Sequence, residues 1–217
     1  MKTALRILFL LCTVYQPLCY GQSTHNPPEV VIDPGHGGTD SGAIGTQGVL
    51  EKDIVLKVAQ EMVRLNWEIH GSALEIYHTR YTDTLISLRN RSGLAKTLKA
   101  DAYVSLHCNQ AHRKGAQGIE VFVYKGRGRY MEASQQLANA VAKNLNYYLG
   151  VKNRGVKAAN FQVLRETVEV CPSVLVELGF LSNGVEEEHL EKKPSITAIA
   201  LVVLETLKAY LYEGGHQ

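Results

Sequence analysis

The chain has 217 residues, of which 45% are hydrophobic and 20% are charged, and its formal net charge at pH 7 is +2. This length and composition suit a single globular domain with a sizeable core and exclude a disordered chain. The near balance of charges gives no electrostatic reason to expect a nucleic acid as a partner.

The N-terminal segment has the pattern of a secretory signal peptide. Two basic residues precede the apolar stretch 7–14, which is too short to span a bilayer, and Cys19 and Gly21 stand where a signal peptidase reads small residues. We predict a signal peptide at residues 1–21, export to the periplasm or cell envelope, and no stable membrane anchor after cleavage. Cleavage removes two of the 23 basic residues and none of the 21 acidic ones, so 21 of each remain. The alternatives are an uncleaved anchor and a lipoprotein modified at Cys19.

Strand and helix patterns alternate along the rest of the chain. A polar lead-in at 22–28 precedes one predicted domain at 29–213, and 214–217 form a tail. Runs rich in β-branched and aromatic residues predict strands at about 29–33, 74–78, 102–106, 119–124, 161–164 and 173–177. Apolar residues at helical spacing predict helices at 50–66, 85–98, 131–149 and 195–212. We therefore expect an α/β fold with a mostly parallel or mixed six-stranded sheet and helices on both faces.

Three predicted strands end in side chains that can bind a metal or transfer protons. The first strand leads into the segment Asp-Pro-Gly-His-Gly-Gly, which contains His36, the third ends at His107, and the last ends at Glu177. Glu51 opens the first predicted helix. The carboxyl ends of parallel strands meet at one edge of a sheet, where α/β folds place their sites. Two histidines and one glutamate are a known ligand set of catalytic zinc.

The candidate ligands also have simpler interpretations. A lone histidine is usually a capping or core residue, and Glu51 could be a first-turn acid that favours the positive end of its helix. Asp53 and Cys108 compete as ligands, but helix rotation turns Asp53 away from Glu51, and strand alternation turns Cys108 away from His107. Asp33 is expected to orient His36 through a hydrogen bond.

Glu177 follows the most apolar run of the chain, Val174–Val176. A carboxylate at the end of a buried apolar strand is costly unless it has an ion-pair partner or a catalytic role. One interpretation is a structural ion pair, for which the candidate partners are Arg80, Arg89 and Arg154. The other is a general base whose pKa is raised by burial.

These motifs resemble the zinc-dependent N-acetylmuramoyl-L-alanine amidases of bacterial cell walls, often called type 3 amidases. The likeness runs from about residue 30 to about residue 211, and its motifs stand at 33–38, 51–53, 79–80, 105–109, 154–157 and 176–180. The resemblance implies a zinc ion held by His36, Glu51 and His107, with Glu177 as the catalytic carboxylate.

The resemblance also implies hydrolysis of the amide between N-acetylmuramic acid and L-alanine in peptidoglycan, in cell-wall remodelling or turnover. Some family members carry a helix that blocks their own site. Because the stretch between Val123 and Asn153 is short, we expect no such helix here, so that control comes from outside the chain, for example from an external activator protein, or from access to substrate. We also expect a monomer. The alternatives are a zinc carboxypeptidase or endopeptidase acting on stem peptides, and a wall-binding protein without catalysis.

Overall fold

The computed structural model describes residues 26–214. The predicted signal peptide, with Cys19, lies outside the described residues, as do most of the lead-in and residues 215–217 of the predicted tail. Regular structure begins at Glu29 and continues to Gly214.

Six strands and six α-helices make up the described chain. The strands are β1 (Glu29–Pro34), β2 (Glu75–His78), β3 (Ala102–Asn109), β4 (Ile119–Tyr124), β5 (Asn153–Ala159) and β6 (Ser173–Phe180). The helices are α1 (Glu51–His70), α2 (Leu88–Leu98), α3 (Met131–Leu149), α4 (Gln162–Thr167), α5 (Gly184–Glu191) and α6 (Lys193–Ala209), with a final π-helical turn at Tyr210–Gly214.

The six strands form one mixed sheet in the order β2-β1-β3-β6-β4-β5. Strands β1, β2, β3 and β6 are parallel, whereas β4 is antiparallel to β6 and parallel to β5. The start of β4 therefore lies at the same end of the sheet as the carboxyl ends of β3 and β6. The predicted fold class, an α/β domain with a mixed six-stranded sheet, is confirmed.

Alternating side chains of the strands pack into two apolar layers on opposite faces of the sheet. In β3, Val104 and Leu106 enter the larger layer beneath α1, α3 and α6, while Tyr103 enters the smaller layer beneath α2 and α4. Because side chains alternate along a strand, Ser105 and His107 share the face of Tyr103. The helices thus cover both faces, as expected, and His107 projects on the side of the smaller layer.

One predicted strand is wrong. The apolar run at residues 161–164 starts α4, whose Val163 and Leu164 pack into the smaller layer. The missing strand is Asn153–Ala159, which is polar, partly exposed and paired on one side only. An edge strand of this kind lacks the apolar alternation that marks a strand, and a four-residue apolar run suits either structure.

The last helix is a core element. By length and composition the segment Lys193–Gly214 is apolar enough to cross a membrane, the one such segment that the described residues contain. In the fold, 56% of its most apolar window is buried, and α6 packs against α1 and α3. The apolar composition therefore reflects burial within the domain.

Candidate metal centre and active site

Four predicted site residues meet at one end of the sheet. His107 and Glu177 are paired neighbours on β3 and β6, His36 lies two residues beyond β1, and Glu51 is the first residue of α1. All four line one cleft of about 670 Å³. The fold therefore places in one site residues that are up to 141 positions apart in the sequence.

The side chains of His36, Glu51 and His107 form a compact donor cluster. One ligand atom from each lies within 4.8 Å of the other two. The Oε1 atom of Glu51 is 3.2 Å from His36 Nε2 and 2.8 Å from His107 Nδ1, and it accepts a hydrogen bond of 2.9 Å from the backbone N–H of Cys108. The Glu51 side chain is 4% exposed, whereas those of His36 and His107 are 25% and 19% exposed. The cluster is thus anchored on its carboxylate and open to solvent on its imidazole side.

The charges of this cluster suit a cation. Although burial opposes ionisation of Glu51, its hydrogen bonds to the two histidines lower its pKa to about 2. Burial disfavours the charged form of His36, but Glu51 and Asp40 together raise its pKa to about 9. The carboxylate therefore stays ionised and stabilises positive charge placed between the rings.

Glycines allow the close approach of the three side chains. Gly42 has a φ of +64°, and a Cβ there would collide with Glu51 Oε2 and with the ring of His36. A Cβ on Gly35 would overlap the ring of His107. His36 itself has a φ of +56°, which is uncommon for a residue with a side chain. The loop after β1 thus needs glycine where the backbone passes the cluster.

Sequence analysis predicted the wrong hydrogen-bond partner for His36. Asp40 Oδ2, not Asp33, lies 2.9 Å from His36 Nδ1. Asp33 is 1% exposed and accepts hydrogen bonds from Arg91 and from the hydroxyls of Thr79, Tyr103 and Ser105. The backbone N–H of Gly35 still donates to the carbonyl of Leu106 in β3, and the chain turns at His36 and Gly37, which have positive φ angles. The ring of His36 therefore meets Asp40 rather than Asp33. Burial opposes its ionisation, but Arg91 and the donated hydrogen bonds hold the pKa of Asp33 below its usual value.

Two buried arginines fix the loop that carries His36. Arg80 donates to the carbonyl oxygens of Pro34, Gly35 and Lys52. Arg91 donates to the carbonyl oxygens of Pro34 and His36. Residue 89, which sequence analysis named as a possible partner of Glu177, is exposed, whereas Arg91, two residues further along α2, is buried.

Glu177 has no arginine partner among the described residues. Of the three candidates, Arg80 binds loop carbonyls, Arg89 is exposed, and Arg154 binds Glu120. The Oε2 atom of Glu177 is buried without a hydrogen-bond partner. Burial raises the pKa of Glu177 to about 7, which suits a group that accepts and returns protons near neutral pH.

The competing ligands lie elsewhere. Cys108 is 3% exposed and packs in the larger apolar layer, so its thiol faces away from the cluster, as strand alternation predicts. Asp53 is not part of the cluster. Cys108 and Cys171 are both buried free thiols.

Sequence analysis missed Glu120, which lies on β4 directly opposite Glu177. Glu120 is 4% exposed, and its carboxylate accepts hydrogen bonds from Asn109, Arg154 and Lys157. The available signal was an acid inside the apolar run 119–124, since a buried carboxylate needs partners.

Comparisons with known proteins identify relatives of this chain. A family model described as Amidase_3, N-acetylmuramoyl-L-alanine amidase, matches residues 30–209. The chain is 34% identical over 183 residues to a probable cell wall amidase, LytH, of Staphylococcus aureus, and the match covers 83% of this chain and 57% of that protein. The chain thus spans little more than half the length of the curated relatives it matches.

Solved structures show the same fold. The crystal structure of an N-acetylmuramoyl-L-alanine amidase from Clostridium difficile 630 matches with a TM-score of 0.80 and 31% identity, over 88% of this chain and 100% of that chain. The CwlD amidase from Clostridioides difficile, solved in complex with the GerS lipoprotein, matches with a TM-score of 0.76 and 27% identity, over 85% and 98% of the two chains.

Proposed function

Since the chain belongs to the Amidase_3 family of N-acetylmuramoyl-L-alanine amidases, we propose that it hydrolyses the amide bond between N-acetylmuramic acid and L-alanine in peptidoglycan. One observation carries the proposal: a half-buried Glu177, whose Oε2 atom is buried without a partner, adjoins a cluster of two histidines and a glutamate in a cleft open to solvent. The family match and the relative named as a cell wall amidase support this choice of substrate.

The donor cluster fits zinc. Two imidazole nitrogens and one carboxylate oxygen within 4.8 Å of one another are the donors of known catalytic zinc sites. His36, Glu51 and His107 would hold the ion, with Asp40 fixing the ring of His36. A bound zinc ion supplies a Lewis acid that polarises the scissile carbonyl and lowers the pKa of water.

Glu177 performs the proton transfers in this proposal. Its carboxylate accepts a proton from the attacking water as the C–O bond forms. The same proton then passes to the nitrogen of L-alanine as the C–N bond breaks, so the amine leaves in neutral form. A pKa of about 7 suits both steps, because the group is then a competent base and, once protonated, a competent acid.

The same comparisons support a proposal for the cellular setting. We propose that the protein acts outside the cytoplasm, in the periplasm or cell envelope, and that an external protein activates it. The signal-peptide pattern and the cell wall relative support the location, and the structure of CwlD with GerS supports a partner. The helix between β4 and β5, α3, does not cover the site, because it packs in the larger apolar layer, on the face of the sheet opposite His107. Monomeric state remains a prediction.

Product analysis tests the proposal directly. Purified, zinc-loaded protein is incubated with purified peptidoglycan, and soluble products are identified by mass spectrometry. The amidase releases intact stem peptides with a free L-alanine amino group and leaves bare glycan strands. Shortened stem peptides would identify a carboxypeptidase or endopeptidase instead, and binding without release would identify a wall-binding protein. Chelator treatment should abolish release, and added zinc should restore it.

A further inference from the structure

A charged cluster beside Glu177 has no role in the proton transfers. It consists of Glu120, Arg154 and Lys157, and we call it the Glu120 cluster. Arg154 Nε and Lys157 Nζ lie 2.5 and 2.6 Å from the same oxygen, Oε1 of Glu120. One carboxylate and two cations leave a net charge of about +1 next to the proposed catalytic residue.

The two cations are held in place but remain accessible. The guanidinium of Arg154 lies 5.0 Å from the centre of the Phe180 ring, and the ammonium of Lys157 lies 5.9 Å from that of Phe122. Their side chains are 31% and 42% exposed, while that of Glu120 is 5% exposed. The buried acid therefore positions two partly solvated cations, which can still accept an anionic partner.

Two residues of the Glu120 cluster, Glu120 and Arg154, line a second cleft that continues from the first. This cleft, of about 380 Å³, is lined in part by Glu120, Arg154, Arg113 and Lys152. Asn109 and Gln110 line both clefts, so the two adjoin beside His107. Positive charge is thus concentrated on the β4–β5 side of the site.

The other side of the site is apolar. The main cleft is lined there by Leu85, Ile86 and Leu88. Its one arginine, Arg91, is already bound to Asp33 and to backbone carbonyls. The uncharged sugar side of the substrate suits this region, and the carboxylate-bearing peptide side suits the Glu120 cluster.

The span of the substrate agrees with this assignment. Glu120 and Glu177 are direct cross-strand partners, about 5 Å apart at Cα, and Lys157 Nζ reaches the carboxylate of Glu120. Two extended residues cover about 7 Å. In a muramoyl peptide whose second residue is a glutamate joined through its side chain, the α-carboxyl group of that residue projects from the peptide about two residues beyond the scissile bond.

We propose that Arg154 and Lys157, positioned by Glu120, form a subsite for the α-carboxylate of the second stem-peptide residue. This inference rests on the proposed function, because it assumes that a muramoyl peptide occupies the cleft. It makes the two cations specificity-determining residues that discriminate stem peptides with a free α-carboxylate from those in which this group is amidated.

The test compares two substrates that differ only in that group. N-acetylmuramoyl-L-Ala-γ-D-Glu-L-Lys is assayed with its α-carboxyl group free or amidated, using the parent protein, Lys157→Met and Arg154→Met. We expect each substitution to raise KM for the acid about tenfold with little change in kcat, and to leave KM for the amide nearly unchanged. Lys157→Arg should restore the preference. Lys125→Met, an exposed lysine just beyond β4 at the opposite end of the sheet, is the matched control.

The outcomes separate the subsite from the proposed function. If a substitution impairs both substrates equally, or neither, the cations stabilise Glu120 only and the subsite is refuted. Binding of the two product tripeptides, measured by calorimetry, gives a readout that does not need turnover. A parent protein that prefers the acid tripeptide but cleaves neither substrate would keep the subsite and refute the amidase reaction. A parent protein that cleaves both substrates without preference would support the amidase reaction and refute the subsite.

Discussion

Replacing Glu177 by glutamine separates the chemistry of this residue from its shape. Glutamine fills the same space but cannot accept the proton of the attacking water. Glu177 is not one of the three residues whose ligand atoms cluster, so zinc affinity should be retained. We expect the E177Q variant to bind zinc as the parent does and to lose about 10²–10⁴-fold in kcat, the usual contribution of a general base.

The same substitution should stabilise the metal-free protein. Burial raises the pKa of Glu177 to about 7, from a value of 4.5 for an unperturbed glutamate. The unfolded chain therefore loses this proton at lower pH than the native state, and ionisation of Glu177 destabilises the fold progressively between about pH 4.5 and pH 7. This pKa difference corresponds to about 3 kcal/mol. Metal-free E177Q should exceed the parent in unfolding free energy by up to that amount at pH 8 and equal it at pH 4.

Three measurements check this reasoning. Metal content reports zinc binding, release of stem peptide from a soluble muropeptide reports kcat, and urea unfolding at pH 4 and pH 8 reports stability. Glu75→Gln, which changes an exposed glutamate at the start of β2, serves as the control and should match the parent in all three. A kcat near that of the parent would refute the assignment of Glu177. A stability gain of equal size at both pH values would refute the account of its burial.

Three further substitutions test the surroundings of the site. Gly42→Ala places a Cβ against Glu51 at a φ of +64°, so we expect zinc affinity to fall at least tenfold in equilibrium dialysis; unchanged affinity would show that the loop adapts. Asp33→Asn leaves the buried Arg91 without its counter-ion and should cost about 3–5 kcal/mol in urea unfolding, whereas a loss below about 1 kcal/mol would contradict a buried ion pair. Burial lowers the pKa of His78 to about 4, so the free energy of unfolding falls by about 3 kcal/mol as the pH drops from about 6.5 to 4. His78→Phe should remove that loss in urea unfolding, and an unchanged dependence of stability on pH would contradict this account.

The sequence predicts elements well where burial is two-sided and poorly where it is not. Strands β1, β3 and β6 lie in the middle of the sheet and are almost wholly buried, so the apolar runs in their sequences mark them clearly. Strand β5 pairs on one side only and is rich in polar residues, and its identity depends on register with β4 rather than on its own side chains. The short apolar run at residues 161–164, which was predicted as a strand instead, forms part of α4 and packs Val163 and Leu164 into the smaller layer.

The site shows the same division. His107 and Glu177 were predicted to lie together because strand ends in parallel sheets converge. The choice of Asp40 over Asp33 as the partner of His36 depends on the turn that begins at His36, where φ becomes positive. Backbone geometry of that kind has no periodic signature, and tertiary contacts decide it.

The site combines locally unfavourable features that the surrounding polar contacts must hold. His36 has a left-handed backbone, and Glu177 has a buried oxygen without a partner. Around them, Arg91 binds the carbonyl of His36, and the buried Glu187 accepts hydrogen bonds from Thr46 and from the backbone of the loop at residues 47–49 that leads into α1. These contacts lie outside the donor cluster, yet they fix the two segments that deliver His36 and Glu51. Stability in this region is therefore concentrated in a polar network beneath and beside the site, which leaves the reactive groups themselves incompletely satisfied and available to a metal and a substrate.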